Sequence, residues 1–375
     1  MTTERAELDI TRDIETLTAD LINVASESRH EQHLADLVFE NLSKLPHLTV
    51  QRDGNTVVAQ TNLGRAERVV LAGHLDTVPS SGNDTALVVR AGERAPIADA
   101  AGTFDVTEDR MYGLGACDMK GGVAVGLRLA ATVAEPTRDV TYIFYDCEEI
   151  EANFNGLKRV AETHPEWLKA DFAVLMEPSN AGVEGGCQGT MRIEVRTSGR
   201  RAHTARGWMG VNAIHGAGDI IDRLRQYETR KVMIDGLEYR EGLQAVFISG
   251  GVAGNVVPDE CVVTVNHRYA PSRSAAEAEA HLREVFDGFE VTVVDNVAGA
   301  LPGLSHPAAK AFVDAVGSEP MPKFGWTDVA RFSGLGIPAV NFGPGSATLA
   351  HAPNEYVPLS HLHTCESALR TWLTN

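Results

Sequence analysis

The feature that most constrains this chain is an apolar run that ends in two adjacent carboxylates. Residues 142–145 are Tyr-Ile-Phe-Tyr, which predicts a buried strand, and Glu148 and Glu149 follow it closely. On extended backbone, successive side chains point to opposite sides, so one carboxylate can bind a cation while its neighbour transfers protons. The alternative is a pair of solvated charges at a strand end, since Glu is mostly exposed in proteins. Other segments of the chain decide between these interpretations.

Two more predicted strands end in residues that can bind a metal. Residues 69–72 are followed by His74 and Asp76, which share a face on extended backbone. A histidine that binds a metal needs an acceptor for its second ring nitrogen, and Asp76 suits that role for His74. Residues 173–176 lead in the same way into Glu177. Because sites assemble at the carboxyl ends of strands in open α/β sheets, these side chains are expected together at one edge.

Two loops supply further candidates. Asp118 follows a Gly-x-Gly segment and precedes a predicted helix over residues 123–134, where helix capping is its alternative role. A dinucleotide-binding loop is excluded, because Asp118 stands where the third glycine belongs. His351 lies in a stretch rich in Gly and Pro that begins at residue 343. Unrelated polar residues on the surface are a poor explanation for so many segments of this kind, so the sequence predicts a metal site. Its His and carboxylate ligands suit zinc, with cobalt or manganese as alternatives.

The pattern of predicted elements divides the chain into three parts. Two helices are expected within residues 7–45, and strands and helices then alternate up to residue 176, which favours a helix-covered mixed α/β sheet. From about residue 182 the order becomes β-α-β-β-α-β, which fits an inserted ferredoxin-like α+β module. Its predicted strands lie at 191–196, 243–249, 260–269 and 290–294, and its helices at 211–225 and 275–286. We therefore predict a catalytic domain built from residues 1–181 and 296–375, with an insert at 182–295.

Composition narrows the classes of partner. The net charge of −18 argues against binding to nucleic acid or to an anionic membrane. Residues 1–4 lack the charged-then-apolar pattern of a signal segment, and there is no apolar run of about 20 residues. The five cysteines are scattered and include no Cys-x-x-Cys, which favours free thiols in a reducing compartment. We therefore expect a cytoplasmic protein that binds neither nucleic acid nor membrane.

The order of the candidate motifs, His-x-Asp, Asp, Glu-Glu, Glu and His, resembles the two-zinc aminoacylase and glutamate-carboxypeptidase family of amide hydrolases. The resemblance runs over essentially the whole chain. It implies two zinc ions per subunit, with cobalt able to substitute. One ion would be held by His74, Asp118 and Glu177. The second would be held by Asp118, Glu149 and His351, so that Asp118 bridges the two.

The resemblance also implies catalytic roles outside the ligand set. Glu148 would be the general base, and Asp76 would orient His74. Residues 182–295 would form a lid and dimerisation domain of a homodimer. From that domain, His203 would reach the site of the neighbouring subunit and stabilise the tetrahedral oxyanion.

Three residues are expected to contact the substrate on the same resemblance. Asn255 and Arg268 match the family's contacts to a substrate carboxylate, and Arg is suited to bidentate binding of such a group. Thr327 lies where the family lines its site near the metals. The segment at 326–332 is Trp-Thr-Asp-Val-Ala-Arg-Phe. The members of the family that this chain most resembles often have Thr-Ser-Asp-Gly-Arg-Phe there. This departure concerns recognition of the acyl group and leaves the metal ligands unaffected.

The implied substrate is a small acylated amino acid. Within the family, the chain is most similar to the members that hydrolyse N-succinyl-LL-2,6-diaminopimelate to succinate and LL-2,6-diaminopimelate, in the synthesis of lysine and cell-wall precursors. Acetylornithine deacetylase, another acyl-amino-acid hydrolase and a metallo-dipeptidase are the alternatives within the class. A metal-binding protein without catalysis is the alternative outside it. Glu148 argues against that last reading, because a binder needs ligands but no base.

Overall fold

The computed structural model of the protein describes residues 8–96 and 104–375. Residues 1–4, at which a signal segment was sought in the sequence, lie outside the described part. The chain forms two compact units. The first unit runs up to Gly185 and continues over Gly303–Met321 and Arg331–Asn375. The second unit comprises Gly186–Pro302 and Pro322–Ala330.

Both α-helices and β-strands occur along the described residues. The α-helices are α1 (Ile14–Ile22), α2 (Gln32–Ser43), α3 (Lys120–Thr132), α4 (Gly156–Thr163), α5 (Ala213–Gln226), α6 (Ala275–Val285), α7 (Pro307–Val316), α8 (Val329–Gly334) and α9 (Leu359–Thr374). The strands are β1 (Thr49–Asp53), β2 (Thr56–Gln60), β3 (Arg68–His74), β4 (Leu87–Val89), β5 (Arg110–Tyr112), β6 (Asp139–Tyr145), β7 (Phe172–Leu175), β8 (Glu184–Gly185), β9 (Gly189–Ser198), β10 (Lys231–Ile234), β11 (Leu237–Arg240), β12 (Gly242–Gly250), β13 (Glu260–Tyr269), β14 (Glu290–Val297), β15 (Met321–Pro322), β16 (Ala339–Asn341) and β17 (Tyr356–Pro358). Short 3₁₀ helices occur at Pro165–Leu168 and Thr204–Met209.

A mixed eight-stranded sheet, in the order β1-β2-β6-β3-β7-β16-β8-β15, organises the first unit. Strand β3 runs parallel to β6 on one side and to β7 on the other, and β16 runs parallel to β7. The β1–β2 hairpin and the β2–β6 pair are antiparallel. Strands β6 and β7 are buried along their whole length, which is why they appear in the sequence as continuous apolar runs.

Helices α1, α2, α3 and α9 supply apolar side chains to the core that covers this sheet. Helix α3 begins at Lys120, three residues before the predicted start at residue 123. Its first turn contains Gly122, where a Cβ atom would lie 2.1 Å from the carbonyl oxygen of Met176. The helix therefore packs directly on the backbone that follows β7, and a glycine is needed at that contact.

The second unit contains a four-stranded antiparallel sheet in the order β12-β13-β9-β14. Along the chain, β9, α5, β12, β13, α6 and β14 follow the β-α-β-β-α-β order of a ferredoxin-like module. Alternate residues of β9 and β13 are buried, and both helices contribute to the same apolar cluster. The β10–β11 hairpin is an addition that the sequence patterns did not indicate.

The boundaries of the second unit differ from those expected at residues 182 and 296. The unit begins at Gly186, ends at Pro302 and also includes Pro322–Ala330. Side-chain contacts within the unit hold this last segment: Trp326 Nε1 donates a hydrogen bond to the carbonyl oxygen of Ala298 at 3.1 Å, and Cys187 Sγ donates to that of Thr327 at 3.6 Å. Among the described residues, no helix combines the length and apolarity needed to cross a membrane.

Candidate metal centre

The predicted ligands on strands come together because their strands are parallel neighbours. His74 is the last residue of β3 and lies opposite Tyr145, the last residue of β6. Glu148 and Glu149 therefore emerge from β6 beside His74. Cys147, with φ of 56°, turns the chain at this point, so the two glutamates lie on a turn rather than on extended strand.

The donor atoms of His74, Asp118 and Glu149 all lie within 4.8 Å of one another. His74 Nε2 is 3.1 Å from Asp118 Oδ1. His351 joins this group from the distant C-terminal loop, with its Nε2 atom 2.9 Å from the Glu149 carboxylate and 3.6 Å from Asp118 Oδ2. Four of the five predicted ligands thus surround one small volume.

The fifth predicted ligand, Glu177, follows β7 on the other side of β3. The amide of Met176 donates to the carbonyl oxygen of Ala72 at 2.9 Å, so the segment of Glu177 runs beside the segment of His74. The Glu177 side chain is buried, with 6% of its surface exposed. Its position at the end of the neighbouring strand is the basis for keeping it as a predicted ligand.

Asp76 is fully buried and connects three parts of the site. His74 Nδ1 lies 3.0 Å from the carbonyl oxygen of Asp76 and 3.5 Å from its Oδ1 atom. The Oδ1 atom also accepts a hydrogen bond from the Glu148 amide at 2.9 Å. Its Oδ2 atom accepts from the Glu149 amide at 3.1 Å and from Ser28 Oγ at 2.7 Å. Burial alone would raise the pKa of Asp76, but the hydrogen bonds with His74 and Ser28 bring it below its usual value. The carboxylate therefore stays ionised while it orients the imidazole and the turn.

Asp118 precedes α3 but does not cap it. The residue at the cap position is Met119, and the helix has no side-chain capping bond there. The Asp118 carboxylate instead faces His74 and His351. Helix capping, the alternative role that the sequence allowed for Asp118, is therefore excluded.

The charges of this cluster favour a bound cation. Burial raises the pKa of Glu149 despite its hydrogen bond with His351, and the Asp118 carboxylate adds to the rise. The hydrogen bond with Glu149 raises the pKa of His351 to about 9. A divalent cation would stabilise the same carboxylates in place of these protons, and mixed His and carboxylate donors are those that zinc accepts. The residues present therefore fit a metal site.

The residues predicted in the insert lie in the second unit. His203 and Asn255 are exposed neighbours, since the Thr204 amide donates to the carbonyl oxygen of Asn255 at 3.0 Å. Arg268 is half-buried on β13, and burial lowers its pKa. Thr327 is buried, with 4% of its surface exposed.

Three polar residues that support the first unit's site were missed in the sequence. Ser28 donates to Asp76, and the buried Glu31 accepts a hydrogen bond from the Cys147 amide at 3.2 Å. Glu355 accepts hydrogen bonds from the backbone of the Asp118 loop. The only sequence signal for Glu355 is its place four residues after His351, while Ser28 and Glu31 follow no motif.

Residues 70–375 match the sequence profile of peptidase family M20/M25/M40. The chain belongs to this family. A Mycobacterium tuberculosis protein that is provisionally named a succinyl-diaminopimelate desuccinylase is 50% identical over 98% of this chain and 99% of its own length. The succinyl-diaminopimelate desuccinylase of Corynebacterium glutamicum is 43% identical over 98% of each chain.

Solved structures share the fold over nearly the whole chain. A Staphylococcus aureus tripeptidase has a TM-score of 0.76 and 22% identity, with 98% of each chain covered. A dinuclear metal-binding peptidase of the M20 family from Bacillus subtilis has a TM-score of 0.66 and 17% identity, with 96% of each chain covered. The predicted α/β class, with a mixed sheet and covering helices, is confirmed.

Proposed function

We propose that this M20-family chain is a metal-dependent amide hydrolase that converts N-succinyl-LL-2,6-diaminopimelate and water to succinate and LL-2,6-diaminopimelate. The observation that carries the reaction class is the cluster of His74, Asp118 and Glu149 at the sheet edge, with Glu148 beside it. The substrate rests on the full-length similarity, at 43% and 50% identity, to proteins named for that reaction. The reaction belongs to lysine and diaminopimelate biosynthesis.

The metal centre would hold two zinc ions, and cobalt suits the same donors. His74, Asp118 and Glu177 would hold one ion, and Asp118, Glu149 and His351 the other. Two bound ions would polarise the scissile carbonyl and lower the pKa of water. The shared carboxylate of Asp118 supports this arrangement, because its Oδ1 faces His74 at 3.1 Å while its Oδ2 faces His351 at 3.6 Å.

Proton transfer would fall to Glu148. Its amide donates to Asp76, so the carboxylate that orients His74 also fixes the peptide that carries the base. Glu148 is partly exposed, which allows water to reach it. Its carboxylate would take a proton from the attacking water and deliver the proton to the departing amine. This route needs no Ser or Cys nucleophile.

His203 is suited to stabilise the oxyanion from a partner subunit. Its Nδ1 atom accepts a hydrogen bond from the Ala205 amide at 3.0 Å. The neutral ring therefore carries its proton on Nε2, which makes that atom a donor. A donor placed where negative charge develops lowers the barrier of acyl transfer. Asn255, Arg268 and Thr327 would bind the polar groups of the substrate.

The second unit would act as a lid and a dimerisation domain. Strand β12 forms one edge of its sheet, so one side of the β12 backbone has no partner strand in this unit. Val246, Phe247 and Ile248 on that strand are 45%, 72% and 58% exposed. Edge strands with exposed apolar side chains readily pair with another chain. A second copy of β12 would extend the sheet and form a homodimer.

A cytoplasmic location agrees with the state of the cysteines. All five cysteines of the chain are buried and unpaired. Unpaired cysteines are typical of a compartment that keeps thiols reduced. We therefore place the reaction in the cytoplasm, as the composition predicts.

Steady-state kinetics of the zinc-loaded protein tests the assignment. A site that pairs buried polar groups can reject an analogue lacking them by ~10⁴–10⁵-fold, so kcat/KM for the succinyl substrate should exceed that for N-acetylornithine by orders of magnitude. The matched control is Glu148→Gln, which keeps the ligands but lacks the base. Equal or better turnover of N-acetylornithine would discard the substrate and keep the hydrolase. Two bound metals without hydrolysis of any acylated amino acid would discard the enzyme.

A further inference from the structure

Glu355 is a buried carboxylate that the proposed reaction does not use. Only 2% of its surface is exposed. Its oxygens accept three backbone hydrogen bonds from the loop that carries Asp118. The donors are the amides of Gly115 at 3.1 Å, Cys117 at 2.9 Å and Asp118 at 3.1 Å. Because three backbone donors of one loop share this single side chain as their acceptor, Glu355 fixes the path of the loop.

The backbone of Glu355 connects the same loop to the segment of His351. The Gly113 amide donates to the carbonyl oxygen of Glu355 at 3.1 Å, and the Glu355 amide donates to that of Ala352 at 3.0 Å. His351 itself has φ of 64°, a left-handed conformation that persists in a histidine only when its surroundings enforce it. Glu355 thus connects the loop that carries Asp118 to the segment that follows His351.

The two segments also approach each other too closely to adjust independently. Gly345 has φ of 85°, and a Cβ atom there would lie 2.3 Å from the Cβ atom of Cys117. A shift of the Asp118 loop would therefore change its contact with the C-terminal loop. The separation of 3.6 Å between Asp118 Oδ2 and His351 Nε2 depends on both loops.

We propose that Glu355 is a positioning residue that sets the spacing of Asp118 and His351 for metal binding. The inference rests on the metal centre of the proposed function. Without the carboxylate, three amides lose their acceptor, two of them in buried hydrogen bonds, and the loop must move to find others. Asp118 would move with its own amide. Groups that hold metal ligands in place typically change metal affinity or activity by ~10–100-fold when they are removed.

Zinc affinity of metal-stripped protein, measured by competition with a chromophoric chelator, tests this role. Glu355→Ala should raise the dissociation constant of at least one zinc ion by ~10–100-fold. Glu355→Gln should raise it less, because its amide oxygen still accepts from Cys117 and Asp118 while its NH₂ group opposes the Gly115 amide. Glu241→Gln is the matched control, since Glu241 is also 2% exposed and accepts a backbone bond from Ala270, but in the second unit. The control should bind zinc as the wild type does.

A readout of turnover separates positioning from general destabilisation. Excess zinc should restore most of kcat in Glu355→Ala, because the defect lies in metal occupancy. Wild-type zinc affinity in a folded Glu355→Ala protein would overturn the inference. If that variant does not fold, Glu355→Gln decides, and less than a threefold change would overturn the inference. If the wild type binds zinc but hydrolyses no substrate, only the proposed function is refuted. If the wild type binds no zinc, the proposed function and the positioning role of Glu355 are both refuted.

Discussion

Replacing Asp76 with Asn should lower zinc affinity by ~10–100-fold. Asp76 orients His74, a proposed ligand, and holds the turn that carries Glu148, the proposed base. Asp76 is fully buried, so its replacement cannot be compensated by bulk water. Its Oδ1 atom serves His74 and the Glu148 amide, and its Oδ2 atom serves Ser28 and the Glu149 amide. An asparagine has only one acceptor oxygen and must turn its NH₂ group toward one of these pairs.

The structure indicates which pair loses its acceptor. With the NH₂ group on the Oδ1 side, it would oppose both the Glu148 amide and a protonated His74 Nδ1. On the Oδ2 side, Ser28 can rotate and accept, so only the Glu149 amide is left without an acceptor. The second orientation loses one hydrogen bond, and a buried unsatisfied donor costs about 1–3 kcal/mol. At about 1.4 kcal/mol per factor of ten, this cost agrees with the expected loss.

Zinc affinity and kcat, measured at neutral pH, are the assays, with thermal unfolding to establish that the variant folds. Ser28→Ala is the matched control, because it removes one neutral donor and leaves the other three contacts of the Asp76 carboxylate intact. Its effect should be smaller, about 1 kcal/mol or less. A folded Asp76→Asn protein with wild-type zinc affinity and turnover would refute the orienting role.

The same substitution carries a pH signature. Because the pKa of Asp76 is lowered on folding, its ionised form stabilises the native state above its unfolded pKa of about 3.9. This contribution is lost as the pH falls through the lowered native pKa. The difference in free energy of unfolding between wild type and Asp76→Asn, measured without metal, should therefore be full at neutral pH and shrink in acid.

Four further predictions follow from the site and the second unit. Glu148→Gln should keep its metals yet lose ~10²–10⁴-fold in kcat, whereas Glu149→Gln should weaken one metal position; metal analysis with kinetics checks both. Because the pKa of His351 is raised to about 9, zinc must displace its proton, and affinity at that position should rise about tenfold per pH unit below pH 9 in chelator competition. His203→Ala should depress turnover but not metal content, and mixing it with inactive Glu148→Gln should restore some activity unless His203 acts within its own chain. Phe247→Lys should dissociate the proposed homodimer in analytical ultracentrifugation, and a dimer of unchanged stability would contradict pairing through β12.

Much of the arrangement of the candidate metal centre was predictable because buried parallel strands leave a clear pattern in sequence. The apolar runs before His74 and Glu177 are β3 and β7, and the run before Glu148 is β6. Strands that end in polar residues at the carboxyl edge converge whenever they are parallel neighbours. The pairing of β3 with both β6 and β7 brings these strand ends together.

Local sequence gave no comparable indication of how the ligands are supported. Glu355 accepts from the amide of Asp118 across 237 positions, and Asp76 accepts from the amide of Glu149 across 73. Bonds from a side chain to distant backbone have no periodicity and no fixed spacing. The same limit applies to the first turn of α3, whose glycines look unfavourable for a helix until the contact of Gly122 with Met176 is seen.

The sequence by itself determined the α/β class, the β-α-β-β-α-β order in the second unit and the residue types that can bind a metal, because each depends on short-range periodicity and chemistry. Tertiary structure alone decided that His351 reaches Glu149 and Asp118 from the far end of the chain. It also decided that Asp118 faces the cluster instead of capping α3. Both outcomes depend on which loops pack together, and that packing is settled by the whole sheet and its covering helices rather than by any one segment.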